Sequence, residues 1–285
     1  MGTLRGLPRR AGRSLVELNV SSVMPVRWSL ERGMVVRRLG AGPEVVWIHG
    51  LGEHGQSFEA IARHPALAGF THVMPDLPGY GRSAWPAASA DEAPARDSLA
   101  DLADLLGGWL AEGPPRLLAG HSLGGVLATL VAELTSVRAV LDIDGNLSRG
   151  DCTFSATAAV QDVVSFHAHG FARMREDVYA RGVSEPALRG YHVGLSLASP
   201  EVFHAHAVDL VALSSTETLA ARLAATRVPA LFIAGSPGGI CARSHALLAA
   251  HGIACEVIAP AGHWPFIDQP DAFAGAAAAF LRAHA

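Results

Sequence analysis

A serine set between glycines is the first residue in this chain that could do chemistry. Gly120-His121-Ser122-Leu123-Gly124 fits the pattern G-x-S-x-G, with an apolar run before it and small residues after it. Such a serine lies on a sharp turn from a strand to a helix, where the glycines remove side chains that would clash. The helix N-terminus favours the negative charge that develops nearby during acyl transfer. The pattern predicts Ser122 as a nucleophile.

A serine hydroxyl is a weak nucleophile unless a base takes its proton. In this chain order the base is expected late, after the last strand. His263 fits, because Ala261-Gly262-His263-Trp264-Pro265 follows an apolar run that is typical of a strand. We predict His263 as the base and Trp264 as a neighbour that contacts the substrate.

Backbone N–H groups can stabilise the oxyanion that forms when a serine attacks a carbonyl. One donor is expected on the residue after the nucleophile, which is Leu123, and the second on the loop after the third strand. That loop contains His49-Gly50-Leu51-Gly52, so the N–H of Leu51 is the second candidate. We expect the remaining substrate contacts from His49, Gly50 and His121.

Strands and helices that alternate along the chain must position these residues. Alternation predicts an α/β fold, with a mostly parallel central sheet of about eight strands and helices on both faces. Between about 147 and 225 only helices are predicted, including one at 156–175. We call residues 147–225 the helical insertion. The predicted strands are 23–30, 34–39, 44–49, 71–75, 116–119, 138–143, 230–234 and 254–258.

Four motifs taken together resemble the α/β-hydrolase superfamily. They are HGLG after a strand, Asp76-Leu77-Pro78-Gly79-Tyr80-Gly81-Arg82-Ser83, GHSLGG and GHW. The resemblance runs from about residue 25 to the end of the chain. It implies the α/β-hydrolase fold of a serine-nucleophile, esterase-like member. The core would span 21–146 and 226–285, the helical insertion would cap the active site, and 1–20 would be a flexible tail.

The acid of the catalytic triad departs from the usual pattern of that superfamily. A Gly-x-x-Asp turn is expected after the strand that follows the cap, but Gly235-Ser236-Pro237-Gly238-Gly239 contains no carboxylate. Some members place the acid after the preceding strand, where this chain has Asp144. Asp144 lies nearer the carboxyl end of its strand than Asp142 does, so we favour Asp144. Asp142 and Asp209 remain alternatives.

Composition argues against several other kinds of protein. The formal net charge of −4 lacks the basic excess typical of nucleic-acid binding, and no apolar run approaches the ~18 residues of a membrane span. Three cysteines without CxxC spacing argue against disulfides or zinc and favour a reduced, cytoplasmic location. Two HxH pairs, at His167 and His204, lie in predicted helices, where such side chains point apart. We expect no metal and no organic cofactor.

Several functions stay open at this point. A carboxylic ester of an apolar acyl compound is the first choice of substrate, cleaved through an acyl-enzyme intermediate. A C–C bond hydrolase, thioesterase, lactonase, cofactor-free haloperoxidase or lyase would fit the same fold, as would a non-catalytic binding module. Gly50-Leu51-Gly52-Glu53-His54-Gly55 also matches G-x-G-x-x-G, with Asp76 near the offset of a ribose-binding acid. That alternative is a nicotinamide-dependent oxidoreductase. The oligomeric state is left open.

Overall fold

An eight-stranded sheet forms the centre of the computed structural model, which describes residues 25–85 and 98–285. The predicted tail at 1–20 lies outside the described residues. The strand order across the sheet is β1-β2-β4-β3-β5-β6-β7-β8. The strands are β1 Arg27–Glu31, β2 Met34–Gly40, β3 Glu44–Ile48, β4 Thr71–Pro75, β5 Leu117–His121, β6 Ala139–Ile143, β7 Ala230–Gly238 and β8 Ala254–Gly262.

The sheet is mostly parallel. Only the β1–β2 and β2–β4 pairs are antiparallel, and every other neighbouring pair from β4 to β8 is parallel. This confirms the predicted α/β sheet of about eight strands. Because parallel strands end at the same edge, the loops after β3, β5, β6, β7 and β8 meet there.

Twelve α-helices surround or cover the sheet within the described residues. The helix that follows the nucleophile motif, α3, is buried from Leu123 to Val131. It is apolar on more than one face because it packs against strands on one side and against helices on another. The helices are α1 Glu59–Ala62, α2 Leu99–Leu110, α3 Leu123–Leu134, α4 Phe154–Ala159, α5 Val163–Ser165, α6 Phe171–Arg181, α7 Pro186–Leu195, α8 Pro200–Ser215, α9 Leu219–Ala225, α10 Ala242–Ala250, α11 Pro265–Asp268 and α12 Pro270–Ala283.

The helical insertion is more broken than its sequence indicated. The single helix predicted at 156–175 is wrong, because α4 ends at Ala159 and a new helical segment begins after Asp162. The Asp162 side chain accepts a hydrogen bond from the N–H of Ser165, which is the capping interaction that starts a helix. A π-helical turn at Phe166–Gly170 then leads into α6.

Two strands run further than predicted. The prediction ended them at Ala234 and Ile258, because proline and glycine follow both positions. Pairing between β7 and β8 instead continues to Gly238 and Gly262, with a register shift between Gly235 and Pro237. The extension carries the chain to His263, so β8 delivers this residue directly to the edge where the other loops meet.

A buried ion pair ties β2 to the loops at this edge. The side chains of Arg37 and Asp76 are almost completely buried, and Arg37 Nη1 lies 2.5 Å from Asp76 Oδ1. Asp76 also accepts hydrogen bonds from the backbone N–H groups of Gly55 and Arg82, at 2.8 and 2.9 Å. One carboxylate therefore holds both the loop after β3 and the loop after β4.

Asp76→Asn should be strongly destabilising, because it leaves the Arg37 guanidinium buried without a counter-charge. We expect a loss of about 3–5 kcal/mol in the free energy of unfolding, measured by urea denaturation. Glu112→Gln is the control, since the Arg32–Glu112 pair has 42% and 58% of its side chains exposed and should lose less than about 1 kcal/mol. Equal losses in both variants would contradict the importance of the buried pair.

Candidate active site

The turn that carries Ser122 has unusual backbone geometry. Ser122 lies between β5 and α3 with φ 55° and ψ −120°, a region that residues with a Cβ seldom adopt. A Cβ atom on Gly120 would overlap the carbonyl of Gly124, and one on Gly124 would overlap the carbonyl of Ile48. The two glycines are therefore needed for close packing of strand and helix, which leaves Ser122 at the start of α3.

The Ser122 hydroxyl does not donate to His263 in this conformation. It donates to Asn146 Oδ1 at 3.0 Å, while Asn146 Nδ2 donates to the carbonyl of Asp151 at 3.0 Å. The carbonyl of Asp151 requires a donor, so the orientation of the Asn146 amide is fixed. Ser122 and His263 nevertheless line the same pocket. Sequence reasoning did not identify Asn146 as a site residue, although it follows Asp144-Gly145 directly.

His263 and Asp144 are in direct contact. His263 Nδ1 lies 2.6 Å from Asp144 Oδ2, and because the carboxylate accepts, His263 donates through Nδ1 and keeps the lone pair of Nε2. Asp144 is fully buried, and its Oδ1 accepts from the N–H groups of Gly235 and Ile240 at 3.1 and 3.2 Å. The carboxylate is thus held by the end of β7 and the loop that follows it, and it can orient the imidazole.

The two alternative acids lie elsewhere. Asp142 accepts a hydrogen bond from the N–H of Gly145 at 3.0 Å. Burial, together with the nearby charge of Asp144, raises the pKa of Asp142 to about 8, so its side chain is neutral at pH 7. Asp209 lies on α8 and accepts from the N–H of Leu99 at 3.0 Å. Neither acid has a hydrogen bond to His263.

A buried carboxylate that sequence reasoning missed joins three parts of the site. Glu53 accepts hydrogen bonds from the N–H of Gly50 at 2.9 Å, from Trp264 Nε1, and from His121 Nδ1 at 3.2 Å. His121 Nε2 lies 2.8 Å from the carbonyl oxygen of His263. Both nitrogens of His121 face acceptors, so both must donate and the ring is an imidazolium.

The charges of Glu53 and His121 support each other. Burial opposes ionisation of Glu53, but attraction to His121 and hydrogen bonds from His121, Trp264 and Gly50 lower its pKa to about 2. Burial likewise opposes the charge on His121, yet Glu53 and the His263 carbonyl raise the pKa of this imidazole above its usual value. His121 was expected to contact the substrate; although it lines the pocket, its ring nitrogens are occupied within the protein.

The two backbone N–H groups predicted as oxyanion donors lie near Ser122, one beside it in the chain and the other in the same pocket. Leu123 is the first residue of α3, so its N–H has no acceptor within the helix. Leu51 lies on the loop after β3 and lines the same pocket as Ser122. Gly50 and Trp264, which are predicted to contact the substrate, line this pocket as well. The N–H of Gly50 differs from those of the leucines because Glu53 already accepts from it.

The expectation that His49 contacts the substrate is wrong. The side chain is fully buried, Nδ1 lies 2.9 Å from the carbonyl of Gly50, and Nε2 accepts from the N–H of Leu77 at 3.0 Å. Burial lowers the pKa of His49 to about 4, so the ring is neutral. It connects the loop after β3 to the loop after β4 and has no nitrogen left for a ligand.

The motifs of other functional classes have structural explanations. Asp76 is fully buried and already accepts from Arg37, Gly55 and Arg82, so a ribose hydroxyl cannot reach it, and the G-x-G-x-x-G loop follows the third strand rather than the first. Residues 25–85 and 98–285 contain no group of three or more His, Cys, Asp or Glu that could hold a metal. His204 contacts the carbonyl of Gln161, whereas His206 contacts the hydroxyl of Tyr80.

No helix in the described part of the chain is long and apolar enough to cross a bilayer.

Comparison with known proteins gives a consistent family. The model of the alpha/beta hydrolase family matches residues 45–277. Pimeloyl-[acyl-carrier protein] methyl ester esterase of Pectobacterium carotovorum is 30% identical over 265 residues, covering 86% of this chain and 96% of that protein. The protein of the same name from Chromobacterium violaceum is 41% identical over 96 residues, 33% of each chain. The 2-succinyl-6-hydroxy-2,4-cyclohexadiene-1-carboxylate synthase of Yersinia pestis is 27% identical over 260 residues, covering 86% and 89%.

Solved structures share the fold at low sequence identity. A thermophilic esterase from Thermogutta terrifontis superposes with a TM-score of 0.70 at 20% identity, covering 88% of this chain and 95% of the esterase. An enol-lactonase from Burkholderia xenovorans gives a TM-score of 0.69 at 19% identity, covering 90% and 100%.

Glu53→Gln should lower stability in a pH-dependent way. Because folding lowers the pKa of Glu53, its contribution to the free energy of unfolding is complete above about pH 4.3 and is lost as the pH falls towards 2. Folding raises the pKa of His121, so the contribution of the imidazolium is complete below about pH 6.5 and is lost as the pH rises through the raised pKa. The stability difference between wild type and variant, measured by urea denaturation, should therefore be greatest between about pH 4.5 and 6.5.

The control for this pH dependence is Glu44→Gln at the other end of β3. Glu44 pairs with Arg116 at 2.7 Å, and arginine does not titrate in this range, so no decline above pH 6.5 is expected. The other titratable groups near the pair are Asp142, Asp144 and His263 beside His121, and His49, His54 and Tyr191 beside Glu53. All six are the same in wild type, Glu53→Gln and Glu44→Gln. A stability difference that keeps rising above pH 7 would contradict an imidazolium at His121.

Proposed function

This chain belongs to the alpha/beta hydrolase family, and we propose that it is a serine hydrolase that cleaves a carboxylic ester or a related acyl compound. One observation carries the proposal. Ser122 lies on a strained turn at a helix N-terminus, in the same pocket wall as His263, whose Nδ1 is bonded to the buried Asp144. These are the elements of a nucleophile, a base and an orienting acid.

The first half of the reaction forms an acyl-enzyme. The Ser122 hydroxyl rotates away from Asn146, gives its proton to His263 Nε2, and attacks the carbonyl carbon. Asp144 keeps Nδ1 protonated and stabilises the imidazolium. The N–H groups of Leu51 and Leu123 donate to the oxyanion, an interaction for which the loss of one donor typically costs about 3–4 kcal/mol of transition-state stabilisation.

The second half releases the product. The imidazolium of His263 protonates the leaving oxygen as the carbon–oxygen bond breaks. A water molecule then gives a proton to His263 and attacks the acyl carbon, which frees Ser122 and the carboxylic acid. The helical insertion would act as a cap over this reaction, because Phe154, Tyr191 and Leu210 line the Ser122 pocket from three of its helices.

The comparisons support hydrolysis of an acyl compound. The relatives include two proteins named as esterases of a pimeloyl methyl ester, and the structural neighbours include an esterase and an enol-lactonase. The relative named as a synthase leaves a lyase of the same fold as a second candidate. Turnover of esters together with covalent labelling of Ser122 would favour the first candidate.

Ser122→Ala should abolish ester turnover, because no other hydroxyl is placed at the start of α3. We expect p-nitrophenyl acetate hydrolysis to fall to background and covalent labelling by a fluorophosphonate probe to disappear. Ser165→Ala, an exposed serine in the helical insertion, should retain both signals. Undiminished turnover in Ser122→Ala would falsify the proposed mechanism, whereas a wild-type protein with neither turnover nor labelling would favour a non-catalytic binding protein.

Asp144→Asn should lower kcat by roughly 10³–10⁴-fold, because an amide can donate to Nδ1 and favour the wrong tautomer of His263. Asp142→Asn is a matched control two residues away, since Asp142 is already neutral at pH 7 with its pKa raised to about 8. We expect the control to stay within about tenfold of wild type. Steady-state kinetics with p-nitrophenyl acetate measure both, and a greater loss in Asp142→Asn would reassign the acid.

A further inference from the structure

Two connected spaces of very different size meet at the reacting groups. The pocket that contains Ser122 has a volume of about 20 Å³, whereas the adjoining cleft measures about 1090 Å³. Thr153, Phe154, His263 and Trp264 line both of them. A single water needs about 10–15 Å³ of such volume, so the Ser122 pocket accommodates a group no larger than about one methyl.

The far wall of the small pocket is closed by buried residues of the helical insertion. Ser155, Tyr191 and Leu210 are all at least nine-tenths buried. The ring of Tyr191 contacts the rings of Phe154 and Trp264, with centroids 4.9 and 5.4 Å apart. Because protein interiors are close-packed, this wall has no spare room for a long chain.

His263 lines both spaces, whereas Ser122 and Leu51 line only the small pocket. The walls of the cleft are mainly α6 and α7, where the apolar side chains of Met174, Ala187 and Leu188 line the space. The charged residues Arg173, Arg181 and Asp268 line it as well, and Arg181 is paired with Asp177 and Glu185 at 3.7 and 3.6 Å. The cleft can therefore receive a bulky and mostly apolar group.

Proton transfer determines on which side of the site the acyl group and the leaving group of a substrate lie. Asp144 holds Nδ1 of His263, so only Nε2 can carry the proton from Ser122 to the leaving oxygen. The leaving group must consequently lie on the His263 side, and the acyl group on the opposite side of the carbonyl carbon. His263 lines the cleft but Ser122 does not, so the cleft adjoins the reacting groups on the side of the imidazole, whereas Ser122 and Leu51 line only the small pocket.

We propose that the cleft is the leaving-group subsite and that the Ser122 pocket accepts only a very short acyl chain. The substrate would then be an acetate-like ester or thioester of a bulky, mainly apolar alcohol or thiol, so the apolar part of the expected acyl compound would lie in its leaving group. The inference rests on the proposed function. The acyl carbon forms a bond to Ser122 Oγ while its bond to the leaving atom breaks, the leaving atom takes the proton from His263, and water later releases the acid.

Two substrate series test this assignment with the intact protein. The first varies the acid with one leaving group: p-nitrophenyl acetate, butanoate and octanoate. The second varies the leaving group with one acid: phenyl, 2-naphthyl and 4-biphenylyl acetate, whose phenols have similar acidity. We expect kcat/KM to fall by at least about tenfold from acetate to octanoate and to hold or rise from phenyl to biphenylyl.

Variants of the two walls separate the subsites. Leu210→Ala removes part of the pocket wall and should increase kcat/KM for butanoate relative to acetate. If the cavity left by alanine prevents folding, the smaller change Leu210→Val is used in place of Leu210→Ala. Thr157→Trp places a bulky side chain at an exposed position of the cleft and should lower kcat/KM for the biphenylyl ester more than for the phenyl ester. Thr216→Trp, an exposed threonine away from the cleft, should keep the ratio of wild type.

The outcomes distinguish this inference from the proposed function. If kcat/KM rises with acyl length and Thr157→Trp lowers octanoate turnover, the acyl group lies in the cleft and the inference is wrong, while a serine hydrolase remains. If Ser122→Ala retains turnover of every ester, the proposed function itself fails. If wild type turns over no ester in either series, both are overturned.

Discussion

The buried carboxylate of Glu53 is the contact on which the geometry of the site depends. It accepts from the loop after β3 through Gly50, from the nucleophile turn through His121, and from the loop after β8 through Trp264. His121 extends the connection to the backbone of His263. Three loops that are distant in sequence are therefore held by one charge pair, which remains ionised because each member stabilises the other in a buried environment. A neutral group would satisfy fewer of these donors.

Asp144, the proposed catalytic acid, lies on a different strand from the one that carries the acid in the usual pattern of the superfamily. The end of β7 and the loop after it have no carboxylate, but the backbone N–H groups of Gly235 and Ile240 there donate to Asp144. A Cβ on Gly239 would lie 2.5 Å from Asp144 Oδ1, so the glycines let this loop wrap closely around the acid. The segment that would carry the acid in the usual pattern thus binds an acid from the neighbouring strand. This acid, Asp144, accepts the hydrogen bond from Nδ1 of His263.

Local patterns predicted the sheet well, because alternation and turn residues act over short stretches of chain. Local patterns also singled out Ser122 and His263 for the same reason, and both residues line one pocket. Glu53 was missed because an acid four residues after a strand has no local pattern that distinguishes it from a surface residue. The error at His49 is of the same kind, since its partners are Gly50 and the distant Leu77. Asn146 has no sequence pattern of a site residue, and only the structure places its side chain beside Ser122.

Substrate choice is harder to predict than chemistry for a physical reason. The reacting groups lie on strand ends, whose positions follow from hydrogen bonds that the sheet must make in any member of the fold. The walls around them come from α4, α6, α7 and α8, whose mutual packing depends on side-chain contacts between segments such as Phe154 and Tyr191. Neither residue has a sequence signature for facing a ligand, and a rotation of one helix would exchange the residues in the wall. The size of the acyl space is consequently a property of tertiary packing, and it can change with one side chain while Ser122, His263 and Asp144 stay in place.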